Sequence, residues 1–219
     1  MRFKRTLALS AVAIAATSTL VATTTTANAD ESTNPTFNVA PAGPAYRADA
    51  YGAKANGLIT LKPTAEATCN GAPSAAIKAA VPINIPKVVQ VNALTGQCAI
   101  QPFGTEADAQ GTVANANILN HLIDVTGVDS RCQDTVVNDQ RVVIWGSTIA
   151  SLVIHANYVK QGAGSIVIPG IANIFVNQKF SGGGHFSTIA LQVDVLPHGL
   201  VAAQRIILGF CQLDTFVGE

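Results

Sequence analysis

Charge is scarce in this sequence. Only 12% of its 219 residues are Asp, Glu, Lys or Arg, against roughly 25% in ordinary domains. Disorder is not the reason: hydrophobic residues make up 48%, and disordered chains lack them. Aromatics are few as well, at 5% with a single Trp, so any ring platform for a ligand is small. Basic and acidic residues number 13 each; no basic excess exists to hold phosphates, which excludes nucleic acid as an expected partner. The chain has no Cys-x2-Cys or His-x3-His spacing and no Gly-x-Ser-x-Gly. Those absences remove the usual zinc signatures and the nucleophile elbow.

What is present begins with a three-part N-terminus. Arg2, Lys4 and Arg5 precede an apolar run from Leu7 to Ala16 broken only by Ser10, and Ala27-Asn28-Ala29 follows. That is the order of a secretory signal, and the run is too short to span a bilayer, which takes about 20 residues. Cleavage after Ala29 is expected, leaving ten basic and thirteen acidic residues, a net charge of −3. No later stretch is apolar enough to span a membrane, no apolar tail ends the chain, and no cysteine sits at the cleavage site. The expectation is a secreted, extracellular protein with no membrane anchor after signal cleavage.

Cys69, Cys98, Cys132 and Cys211 all lie beyond the signal. An even count in a secreted chain reads as two disulfides, and three pairings are open. Cys69–Cys98 with Cys132–Cys211 is favoured, because the first two lie in one half and Cys211 falls in the final strand.

Residues 30–44 are rich in Pro, Asn, Ala and Thr without periodicity and read as a flexible lead-in. Alternation starts at 45. Asn56-Gly57 between extended runs predicts a hairpin. Val81 to Val91 contains Pro82 and Pro86, which places it at a sheet edge or in a crossover. Ala107, Ala109, Gly111, Val113 and Asn115 form a small-residue series of period 2, as in a strand packed closely on a neighbour. Leu122 to Cys132, Ile149 to Tyr158, Ile166 to Ile168, Ile171 to Phe180, Ile189 to Val195 and Ile206 to Cys211 are further strand candidates. Pro169-Gly170, Gly182-Gly183-Gly184 and Pro197-His198-Gly199 supply turns. A short helix over Asn115 to Leu122 competes, since Ile118, Leu119 and Leu122 fall at helical spacing. Many short strands with frequent turns predict an all-β fold, an antiparallel β-sandwich over 45–219.

Several of these segments resemble the choice-of-anchor P family of secreted actinobacterial proteins. They are Ala48-Asp49-Ala50-Tyr51-Gly52-Ala53-Lys54-Ala55 with Gly57-Leu58-Ile59 and Pro63-Thr64; Gly146 to Ile154; and Ile168 to Ala172 with Val176-Asn177-Gln178 and Ile189 to Val195. The chain has Val176-Asn177-Gln178 where the family often shows Leu-Asn-Glu-Gln, and Gln192 within its counterpart of Ala-Leu-His-Val. The resemblance implies a secreted or envelope-associated β domain without an anchor, and no activity to transfer.

Candidate sites are sparse. His121, His155, His185 and His198 are scattered, so no metal and no cofactor is expected. Asp124, Asp129, Asp134 and Asp139 make an acidic stretch spaced by five, unlike the tight alternation of a calcium loop, although converging strands could still assemble one. Ser181 and Ser187 have no recognisable base, and no catalytic residue is assigned. Trp145 and Tyr158 are the candidate ligand contacts, by analogy with rings that stack on sugars; for Trp145 a core position is the competing reading. The sequence therefore predicts a non-enzymatic structural or adhesion-type module. Its expected partner is a cell-surface polymer or a protein, with a carbohydrate-binding module and a secreted hydrolase as alternatives.

Overall fold

The computed structural model describes residues 46–57, 59–71, 73–102, 106–138, 140–155, 157–158, 162–197 and 203–215. The expected signal sequence and lead-in, His198 and Asp139 lie outside them. The described residues form fourteen strands in two seven-stranded antiparallel sheets, as the alternation predicts. Strands β1 (Tyr46–Gly57), β2 (Leu61–Thr64) and β3 (Ala67–Asn70) belong to sheet A. The chain then crosses to sheet B, which it builds in sequence order. Its strands are β4 (Ser74–Ala80), β5 (Ile83–Ile85), β6 (Val89–Ile100), β7 (Glu106–Ile118), β8 (Ile123–Val137), β9 (Gln140–Ile154) and β10 (Asn157–Tyr158). It returns to sheet A with β11 (Gly164–Ile168), β12 (Ala172–Gly182), β13 (His185–Val195) and β14 (Gln204–Thr215), and β14 pairs with β1. Chain neighbours are thus spatial neighbours almost everywhere, and no helix occurs among the described residues.

Local chemistry explains the turns. Gly183 and Gly184 both have positive φ, 57° and 79°, the requirement of a two-residue type I′ hairpin. Pro169-Gly170 closes β11–β12 with Ile171 N–H donating to Ile168 O at 3.0 Å and Gly170 at φ 70°, a type II pattern. The hairpin expected at Asn56-Gly57 joins β1 to β2: its last pair is Ala55 with Leu61, so both residues lie in its connection while still pairing with Arg205 and Gln204 of β14. One expectation is corrected. The helix over Asn115 to Leu122 does not form. β7 runs to Ile118, and Leu119, Asn120 and His121 turn the chain with φ of 54°, 53° and 65°. Pairing with β6 and β8 outweighs a weak helical period.

The two ends of the sandwich are packed differently. One holds large aliphatics: Leu94, Ile118, Ile123, Ile149, Leu152, Leu191, Ile206 and Leu208 are fully buried. The other holds Ala48, Ala50, Ala67, Ala107, Ala109, all four cysteines, Tyr46 and Trp145. Here the disulfides Cys69–Cys98 and Cys132–Cys211, the favoured pairing, tie β3 to β6 and β8 to β14 across the sheets, with Cα–Cα distances of 5.9 and 5.7 Å. Stacked sheets ordinarily lie about 10 Å apart; small residues occupy the closest approach, while the same cluster also holds Tyr46, Ile100, Trp145 and Leu213. A Cβ on Gly111 would stand 2.4 Å from Tyr51 O and 2.5 Å from Phe210 O. On Gly96 it would stand 2.0 Å from Ala65 O. The close packing read from Ala107, Ala109 and Gly111 is therefore real; Asn115, the last member of that series, is exposed.

Asn115 misses because a row of kinks crosses both sheets. Pairing skips one row at Ala93, Ala114, Gly127 and Ala150 in sheet B, and at Gly52, Gly209, Ala190 and Asn177 in sheet A. Alternate strands carry a positive φ there: Ala93 47°, Gly127 60°, Asn177 51° and Gly209 64°. Beyond the row the inward phase slips by one residue, so β7 buries Val113 and then Ala116. Buried hydroxyls bridge the sheets along the same line. Ser130 donates to Gly209 O at 3.0 Å and Ser147 to Asn177 Oδ1 at 3.0 Å, while Thr188, whose hydroxyl lies 3.3 Å from Ser147 Oγ, donates within sheet A to Gln178 O at 2.9 Å.

Gly111→Ala is expected to destabilise by about 2–3 kcal/mol in urea unfolding, because backbone must move to admit the methyl. Gly146→Ala, whose new Cβ would meet only Lys179 at 3.6 Å or more, should change stability by less than about 0.5 kcal/mol.

Candidate interaction face

The outer face of sheet B is a ladder of amides and hydroxyls. Successive strand residues point to opposite faces, so the residues between the buried ones project outward. The register sets like opposite like: Asn92 with Asn115, Thr95 with Thr112, Gln97 with Gln110. Each pair is hydrogen-bonded, with Asn92 Nδ2 donating to Asn115 Oδ1 at 2.8 Å and Gln97 Nε2 to Gln110 Oε1. Gln110 Nε2 passes the chain on to Asp129 at 2.9 and 3.0 Å. Arg131 donates to Asp108 at 3.1 and 3.4 Å, and Gln133 to Glu106 at 3.0 Å. Thr126 and Thr148 stay exposed beside them. Cross-strand bonds restrict these side chains before any ligand arrives, so less rotamer entropy remains to be lost on binding. The groups offered are mostly neutral donors and acceptors, suited to hydroxyls and amides rather than to phosphate.

The outer face of sheet A is spent on itself. Tyr51 and Phe210 stack at 4.5 Å and 17° and, with Ile189 and Ile207, form a small apolar cluster. Burial, then the charge of Glu66, pushes the Tyr51 phenol far above its ordinary range. Ion pairs Arg47–Asp49 at 2.6 Å and Arg205–Asp194 at 2.8 Å, and a hydrogen bond between His185 and Asp214 at 2.8 Å, border the cluster.

The residues singled out by sequence divide clearly. Trp145 is 4% exposed and lies inside the sandwich, its ring 4.9 Å from that of Phe186. It presents no face to a ligand; the contact expectation is corrected and the core reading holds. The Tyr158 backbone pairs with Val153 in β10, and its side chain lies outside the described residues. The acidic stretch does not converge. Asp124 pairs with His121 at 3.1 Å, Asp129 with Gln110, and Asp134 points inward to Arg141. Among the described residues no group of three or more His, Cys, Asp or Glu could hold a metal ion. His185 is oriented by Asp214, which also accepts from Gln212 at 2.8 Å. The triglycine is the hairpin turn described above. The ladder itself was missed. Its signal was the run of Thr, Gln and Asn at every second position of β6 and β7, broken by the kink.

One buried polar cluster closes the disulfide end. Arg141 donates to both oxygens of Asp134, at 2.9 and 2.7 Å through Nε, and also to the Tyr46 hydroxyl, with its guanidinium 4.8 Å from the Tyr46 ring centroid. Asp134 is 1% exposed, and burial raises its carboxyl despite Arg141. Burial first and the Asp134 charge second push the Tyr46 phenol up to about 12. A raised phenol favours folding fully below its unfolded pKa of about 10, and that contribution is lost as pH rises towards 12. Absorbance at 295 nm should therefore show Tyr46 ionising near 12, with resistance to urea falling between pH 10 and 12; ionisation near 10 in the folded protein would remove this cluster from the folding energetics. Comparison with protein-family models, curated proteins and solved structures finds no match to this chain.

Proposed function

We propose that this protein is a secreted, non-enzymatic module of the cell envelope or extracellular space that acts by contact, through the outer face of sheet B. The observation that carries this reading is the ladder of paired Asn, Thr and Gln side chains across β6 and β7. Two disulfides suit an oxidising compartment, and the N-terminal pattern supplies a route of export. The resemblance to choice-of-anchor P proteins points the same way. The ladder also supports a carbohydrate ligand as a second reading, bound through hydroxyl hydrogen bonds rather than by stacking on Trp145.

Retention of the mature chain, Asp30 to Glu219, on isolated cell-wall polysaccharides and on surface proteins tests both. Binding to one of these classes is expected, weakened about tenfold or more in Gln97→Ala/Gln110→Ala, since each lost hydrogen bond is worth about 0.5–1.5 kcal/mol and 1.4 kcal/mol is tenfold. Retention on glycan selects the carbohydrate reading, and retention on protein the adhesive one. Binding to neither class, or binding untouched by the double substitution, would overturn the assignment of this face.

A further inference from the structure

Among the described residues, sheet B ends in an open edge. Natural edge strands are blunted by shortness, proline or charge, since their free N–H and C=O groups template further pairing. Most other edges are short or carry proline: β5 has three residues flanked by Pro82 and Pro86, β2 four including Lys62 and Pro63, β3 four and β10 two. β11 has five, closed by Pro169, with Val167 62% exposed. β4 is the longest edge strand, with seven residues, Ser-Ala-Ala-Ile-Lys-Ala-Ala, no proline and Lys78 as its one charge, and among the described residues it pairs with β6 alone. Ile77 at its centre is 75% exposed, and Val81 just beyond it is 80% exposed.

The segment is complementary to itself. Laid antiparallel on a second copy about Ile77, it sets Ser74 opposite Ala80, Ala75 opposite Ala79, Ala76 opposite Lys78, and Ile77 opposite Ile77. The two lysines meet alanines rather than each other, so no like charges are opposed. Small residues on both sides allow the backbones to approach. A two-fold axis relates identical patches and closes the assembly at two copies. Ile77 stands in register with Gln97, and Gln97 with Gln110, so the joined sheet carries both ladders on one continuous face.

We propose that β4 pairs antiparallel with β4 of a second copy, centred on Ile77, and that this chain is a dimer through sheet B. The proposal stands independently of what the ladder binds. Sedimentation equilibrium of the mature chain over about 1–100 µM tests it, that range bracketing a micromolar dissociation constant. The wild type is expected to be dimeric. Ile77→Lys and Ile77→Glu each oppose two like charges at the centre and should weaken dimerisation about tenfold or more. An equimolar mixture of the two variants should dimerise again. Ile77 is exposed, so both variants should remain folded, which circular dichroism checks. A monomeric wild type, dimerisation unchanged in both variants, or a mixture that stays monomeric would overturn the proposal.

Discussion

Two sheets whose backbones nearly touch at one end set the terms for the rest of this molecule. At Gly96 and Gly111 there is no room for even a methyl group, and Cα atoms across the disulfides are under 6 Å apart. Alanine, glycine and cysteine line the closest approach, and Tyr46, Ile100, Trp145 and Leu213 are buried at the same end. Alanines bury little apolar surface, and burial stabilises at roughly 25 cal/mol per Å², so the alanine positions contribute weakly. Covalent closure adds to them. In the chain-entropy model, loops with separations of 29 and 79 residues are stabilised by about 3.6 and 4.5 kcal/mol. The aliphatic end, with Leu and Ile side chains of ordinary size, uses burial instead.

The kink row reconciles the two regimes. Residues in positive φ on alternate strands shift each strand's phase by one, so inward positions on both sides of the row still face the core. Small residues occupy most of it, because a Cβ on Gly209 would stand 2.7 Å from the Val128 side chain. Ser130 and Ser147 bridge the sheets there and Thr188 bonds within sheet A, satisfying buried polar groups that would otherwise cost about 1–3 kcal/mol each.

Much of this was legible in sequence. Alternation marked β13 and β14, turn chemistry marked Pro169-Gly170 and the triglycine, and the small-residue series through Gly111 marked the close approach. Proline placed β5 at an edge, but the rest of the Val81 to Val91 stretch is corrected: Val89 to Val91 open β6, an interior strand paired with β5 and β7. The rest was hidden by physics that one-dimensional patterns do not carry. β4 is mostly alanine, which has no strand propensity, and the kinks break period 2 in mid-strand, concealing the Asn, Thr and Gln ladder. Trp145 could not be assigned to core or surface from its neighbours; only the pairing of β9 turns it inward. The ladder and the open β4 edge lie on the same sheet, and both arise from side chains too polar or too small to be used in the core.

Hydrogen exchange with and without reduction of both disulfides bears most directly on the dependence of the fold on that narrow gap. On reduction, amides around Ala107–Ala109, Cys132 and Cys211 should lose protection first, while those of Ile118, Ile123–Val125 and Leu152 remain protected beyond the kink row. Uniform loss across both ends would contradict the division into a covalently held end and an aliphatic one.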